Sequence, residues 1–117
     1  MTPHEALALK RLAAHQGTPD WAREILTASA TPNVSSTPST EIEAHTIDAD
    51  YLKFLKEQID LAPRGPEWSS VLLARLGALR PFIGHSMLRI GVHRGTSVFV
   101  GHLRASDLEV IHTEEFS

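Results

Sequence analysis

The stretch GVHRGTSVFVGH, residues 91–102, sets His93 and His102 at the ends of a glycine-bearing turn between two apolar runs. Four of the chain's seven histidines fall between His85 and His112, so metal binding and acid–base catalysis are the first chemistries to test. Register arithmetic speaks against a metal. With Gly95 and Thr96 as a type II′ loop, Val92 faces Phe99, Arg89 faces His102 and His93 faces Val98. His93 and His102 then share a face but stand about 13 Å apart at roughly 3.4 Å per residue, whereas two imidazoles on one zinc each need a nitrogen about 2.0–2.1 Å from the ion. With RASD as a four-residue loop, His112 falls opposite Phe99 on the other face. The sequence therefore predicts no histidine cluster within one chain, no metal and no cofactor, and leaves open only an ion held between subunits.

Other reactive motifs are missing. The chain has no cysteine, which removes disulfide scaffolds, thiolate zinc sites, thiol nucleophiles and redox pairs together. There is no G-x-S-x-G elbow and no H-E-x-x-H, GVHRGTS lacks the lysine of a phosphate loop, and no histidine has Ser or Thr two residues on. Ser86, Ser106 and Asp107 are available to a histidine, but nothing singles them out. The sequence favours a non-enzymatic role. If it has an activity, the pair to expect is His102 with Arg89 in phosphate-ester chemistry, because the register sets them opposite each other.

The net charge of −3 is unevenly spread. Residues 1–40 are neutral, 41–61 carry −4, 62–106 carry +5 and the tail from 107 carries −4. The basic block is all arginine: Arg64, Arg75, Arg80, Arg89, Arg94 and Arg104. Planar guanidinium forks suit phosphate or carboxylate, so Arg89, Arg94 and Arg104, with His93 and His102, are the candidate anion-binding residues. The acidic flanks are equally available to pair with them inside the chain. A nucleic-acid-associated regulator using the 62–106 segment is the alternative function, and it is the less favoured one. The isoelectric point near 6.1 is not that of a dedicated nucleic-acid module. Leu12–Leu26 fits a helix-turn-helix only in part, with Arg23 at a position that should be apolar.

The elements that must position these residues follow from periodicity and punctuation. Residues 1–29 read as a helical hairpin. Thr2, Pro3 and Glu5 make an N-cap, an N1 proline and a capping-box acid, Leu9, Leu12 and Ala13 form a stripe, Gly17 stops the helix, and Thr18 with Pro19 starts a second. Residues 30–40, rich in Ser, Thr and Pro, read as a flexible linker. Residues 41–117 read as a small α+β domain. It has an edge strand near 41–47, a helix capped by Asp48 and running to about Leu61, and a helix opened by Pro66 and closed before Pro81. Strands follow at 87–92, 97–103 and 108–113. The predicted fold class is α+β: a hairpin on a linker, then two helices packed on a three- to four-stranded antiparallel sheet.

This layout suits a small protein-interaction module, such as an adaptor, inhibitor, immunity or assembly factor. It would dock by a helix in a groove with Trp21, Ile25 and Leu26 as anchors. The same face is equally able to fold back on its own body. The expected partner is another protein, with a homodimer or larger homo-oligomer in view. The absence of a signal-like N-terminus and of a long apolar run leads to the expectation of a cytoplasmic chain with no membrane span.

Overall fold

Thr2 and Glu5 start the first helix by bonding each other's backbone amides, each at 3.1 Å, with Pro3 in its first turn, where a missing N–H costs nothing. The computed structural model that shows this describes residues 2–30, 40–61 and 65–116. Its elements are α1 (Pro3–Ala14), α2 (Asp20–Ser29), β1 (Thr40–Thr46), α3 (Ala49–Leu61), α4 (Pro66–Leu79), a 3-10 turn (Arg80–Phe82), β2 (Ser86–Arg94), β3 (Ser97–Arg104) and β4 (Val110–Phe116). The linker read at 30–40 lies outside the described residues except at its two ends.

Helix α2 begins one residue later than the sequence suggests. Pro19 is its N-cap, and Thr18 instead donates its hydroxyl to the Leu12 carbonyl at 2.6 Å. Arg23 donates to the Ala13 carbonyl at 2.8 Å. Carbonyls at a helix C-terminus lack partners within the helix, so these two side chains close the α1–α2 turn. Helix α3 is capped as expected, with the Asp48 carboxylate accepting from the Tyr51 amide at 2.8 Å.

The four strands form one antiparallel sheet in the order β1-β2-β3-β4, so the edge strand read from residues 41–47 is its first member. Between β2 and β3 the register is the one inferred from the sequence: Val92 faces Phe99, Arg89 faces His102 and His93 faces Val98. Gly95 supplies the positive φ of 61° that a type II′ loop needs at its first position.

The last strand differs. It starts at Val110, because residues 105–109 form the turn, with buried Leu108 at a φ of 58°. Arg104 grips that turn through Asp107 at 2.6 Å and Glu109 at 2.7 Å. His112 therefore pairs with His102 and not with Phe99. From His112 onward the displacement is an odd number of residues, which turns those side chains to the opposite face, while Val110, across a register shift at His102–Leu103, pairs with Leu103 and keeps the expected one.

Both sheet faces are covered. Leu88, Ile90, Val92, Phe99 and Leu103 share a core with Ala8, Leu9 and Leu12 of α1 and with Ala22 and Leu26 of α2. Met87 and the half-buried Ile111 share a second core with Leu52 and Leu55 of α3 and with Leu72, Leu76 and Leu79 of α4. Strand alternation puts these two sets on opposite faces, so the hairpin and the α3–α4 pair sandwich the sheet. Helix α1 approaches β3 closely at Gly101, where an added Cβ would stand 2.5 Å from a Leu12 methyl. Leu12 is fully buried and has little room to yield. Gly101→Ala is expected to lower stability by about 1–3 kcal/mol through overpacking. Chemical denaturation checks this, and Leu12→Val in the same chain should return part of the loss.

Candidate functional site

The α3–α4 side of the sheet buries a polar cluster. Alternation places Glu43 and His45 of β1, Met87 and Arg89 of β2, His102 of β3, and His112 and Glu114 of β4 on this face. Tyr51 of α3 and Arg75 of α4 meet them from above. The ring centroid of His102 lies 6.0 Å from that of His45 and 6.1 Å from that of His112. Tyr51 lies 5.0 Å from His45 by the same measure. The expectation that no intramolecular histidine cluster forms is thus corrected. His93 and His102 are indeed far apart, but the longer β3–β4 turn and the β1 pairing bring two other histidines to His102.

Arg75 and Glu114 form a two-pronged ion pair, Nε to Oε1 at 2.5 Å and Nη2 to Oε2 at 2.7 Å. The residues are only 8% and 7% exposed. Burial works to raise the Glu114 pKa, but the hydrogen bonds and charge of Arg75 outweigh it and hold it at about 2. Burial likewise opposes the Arg75 charge, and Glu114 more than offsets it, so Arg75 stays charged. Burial drives His102 down to about 3, helped by the Arg75 charge, and lowers His45 in the same way. Tyr51 is raised by burial, with Arg75 acting against it. At neutral pH the buried centre of the cluster holds the Arg75 guanidinium, the Glu114 carboxylate and the neutral rings of His45 and His102.

Hydrogen bonding is incomplete. Among the described residues, both ring nitrogens of His102, Nε2 of His45, Nε2 of His112 and the Tyr51 hydroxyl have no aligned partner, although His112 Nε2 lies 3.3 Å from Glu114 Oε1. Among the described residues no group of three or more histidines and carboxylates is placed to hold a metal ion.

The residues singled out from the sequence are dispersed. Arg89 reaches Glu43 at 3.7 Å, Arg94 points to the hairpin side and reaches Glu24 of α2 at 3.6 Å, and Arg104 holds the β3–β4 turn. His93 is exposed and His102 is sealed from solvent. Leu26 is fully buried in the chain's own core, and Trp21 and Ile25 pack against that core. Arg64 lies outside the described residues. The sequence reading missed His45, Tyr51, Arg75 as a buried group, His112 and Glu114. One signal was available: Arg75 interrupts the Leu72, Leu76, Leu79 stripe of its helix, and a cation on a buried face requires a buried acid. The shallow groove on α2 lined by Asp20, Arg23, Glu24, Thr27 and Ala28 is remote from the cluster. Among the described residues no helix is long and apolar enough to cross a membrane.

Glu114→Gln leaves Arg75 charged and unpaired, and is expected to cost about 3–5 kcal/mol, read as a lowered denaturation midpoint. Replacing the pair together, Arg75→Met with Glu114→Leu, should recover most of that loss. Comparison of the chain with protein-family models, with curated proteins and with solved structures finds no match.

Proposed function

We propose that this chain is a non-enzymatic protein-interaction module that docks through the outer face of α3. One observation carries this reading. Asp50, Phe54, Glu57 and Leu61 follow each other at helical spacing on one side of α3, all exposed, with Phe54 at 52% and Leu61 at 72%. The buried side of the helix, Leu52 and Leu55, faces the sheet. The adjoining α4 leaves Leu73 exposed as well, at 59%. Large apolar side chains gathered on a surface helix are a feature of interaction sites.

The alternation of acids with apolar groups names the complement: a partner protein with an apolar groove bordered by lysine or arginine. The helix-in-groove mode read from the sequence is kept, but it passes from α2 to α3, because Trp21, Ile25 and Leu26 are engaged with the chain's own sheet. The cytoplasmic setting read from the sequence is kept as part of the proposal. A nucleic-acid-associated regulator draws less support, since Arg75, Arg89, Arg94 and Arg104 all pair with acids of the same chain.

The test is capture from host lysate by the tagged chain and by the variant Phe54→Asp with Leu61→Asp, with the mass of each complex determined. The wild-type chain should hold a defined protein partner at moderate salt. The variant should bind it at least about tenfold more weakly, in keeping with the loss of two anchors, at an unchanged melting temperature. Binding that survives the variant overturns the proposal, as does a complex that dissolves steeply with salt in the manner of phosphate recognition. A mass showing only self-association would replace the separate partner with a homodimer.

A further inference from the structure

The buried imidazoles sit in the contact between two layers of the fold, and the two layers differ in chemistry. The hairpin meets the sheet through Leu9, Leu12, Ala22, Leu26, Leu88, Ile90, Val92, Phe99 and Leu103, none of which titrates. The α3–α4 layer meets it through the apolar Leu52, Leu55, Leu72, Leu76, Leu79 and Met87 as well, but it also covers the imidazoles of His45 and His102, which titrate. We propose that α3 and α4 form an acid-released cover: protonation of this histidine group separates them from the sheet while the α1–α2 hairpin remains seated.

The charge count around His102 explains why. From β1 it is faced by His45, with Glu43 beyond; from β2 by Arg89; from β4 by His112 and Glu114; from α3 by Tyr51; and from α4 by Arg75. Asp48, just before α3, acts on His45, and Arg104, two residues along β3, is engaged with Asp107 and Glu109. Glu43 is exposed, and Arg89 already lies beside it. Glu114 is the only fully buried acid of the group, and Arg75 occupies both its oxygens. A proton on His102 or His45 is a second cation in this interior, and the Glu114 carboxylate is already held by Arg75. Separating the layer returns the rings to water.

The sign follows from the lowered histidines. In the open layer His102 titrates near its ordinary 6.5, and in the closed layer near 3. The closed state is therefore fully favoured above about 6.5 and loses that advantage as pH falls toward 3. Each ring that takes up its proton only on opening favours the open state about tenfold per pH unit across its window. Glu114 works in the same direction but later, between its ordinary 4.5 and about 2.

The chain's two tryptophans report the two layers separately. Trp68 of α4 stacks edge-on against Phe116 of β4 at 5.6 Å, and Trp21 of α2 lies on the hairpin side. Acrylamide quenching is measured from pH 7.5 to 3.5 in full-length Trp21→Phe, which keeps Trp68, and in Trp68→Phe, which keeps Trp21. The expected result is that Trp68 becomes quenchable as pH falls below about 6.5 while Trp21 stays protected over the same range. In the Trp68-only chain, His102→Gln or the milder His45→Gln should flatten that transition and move it to lower pH. Exposure of both tryptophans at one shared midpoint overturns the proposal, and so does a Trp68 transition that neither histidine variant moves.

Discussion

Glu114 keeps its negative charge where water hardly reaches, and Arg75 of α4 balances it through two hydrogen bonds. A carboxylate removed from water without a partner is far too costly to persist, so the positions of several elements hang on this contact. Helix α4 must turn Arg75 toward β4. Strand β4 must pair so that Glu114, and not its exposed neighbour Glu115, faces inward. That in turn sets His112 beside His102 and completes the polar interior. A slip of one residue in β4 would reverse all of these together, which gives the Arg104 grip on the preceding turn its structural importance.

The sheet is therefore asymmetric. Against the hairpin it presents branched aliphatic side chains and Phe99, closed tightly enough that Gly101 lies directly beneath Leu12. Against α3 and α4 it presents Glu114 and the imidazoles of His45, His102 and His112, which meet Arg75 and Tyr51 of the helices, beside the apolar Met87 and Ile111. Apolar contact is insensitive to pH and strengthens with area buried. A polar interior depends on which protons are bound and on every partner being in place. The protein joins a largely apolar contact and a mixed polar and apolar one to the two faces of a single sheet.

The arginines illustrate how composition misleads when read without geometry. A block carrying +5 suggests an anionic ligand, yet Arg75, Arg89, Arg94 and Arg104 are spread over both faces and a turn, each beside an acid. Three of these pairings, with Glu43, Glu24 and the Asp107–Glu109 turn, are solvent-exposed and screened, and they organise more than they stabilise. The fourth, with Glu114, is buried and governs the packing of a whole layer.

Much of the local structure was legible in the residues themselves. The Thr2–Glu5 capping box, the Asp48 cap, the helix opened by Pro66 and the β2–β3 register are short-range matters, settled by dihedral preferences, by hydrogen bonds three residues apart and by the loop geometry at Gly95. The α+β class and the antiparallel meander of the last three strands follow from the same signals, whereas the place of β1 beside β2 was not read from them. Where the hairpin docks, which face β4 shows and which histidines meet were not legible. Thr18 is a sound helix cap by type, but the nearby Leu12 carbonyl claimed it. The β3–β4 turn runs through the buried Leu108 at a positive φ that leucine seldom adopts. The sequence alone determined which segments become helix and strand. The tertiary structure decided which side chains lose water together, because burial is a property of residues brought together from distant parts of the chain, and only it separates a charge in solvent from a charge that must be answered.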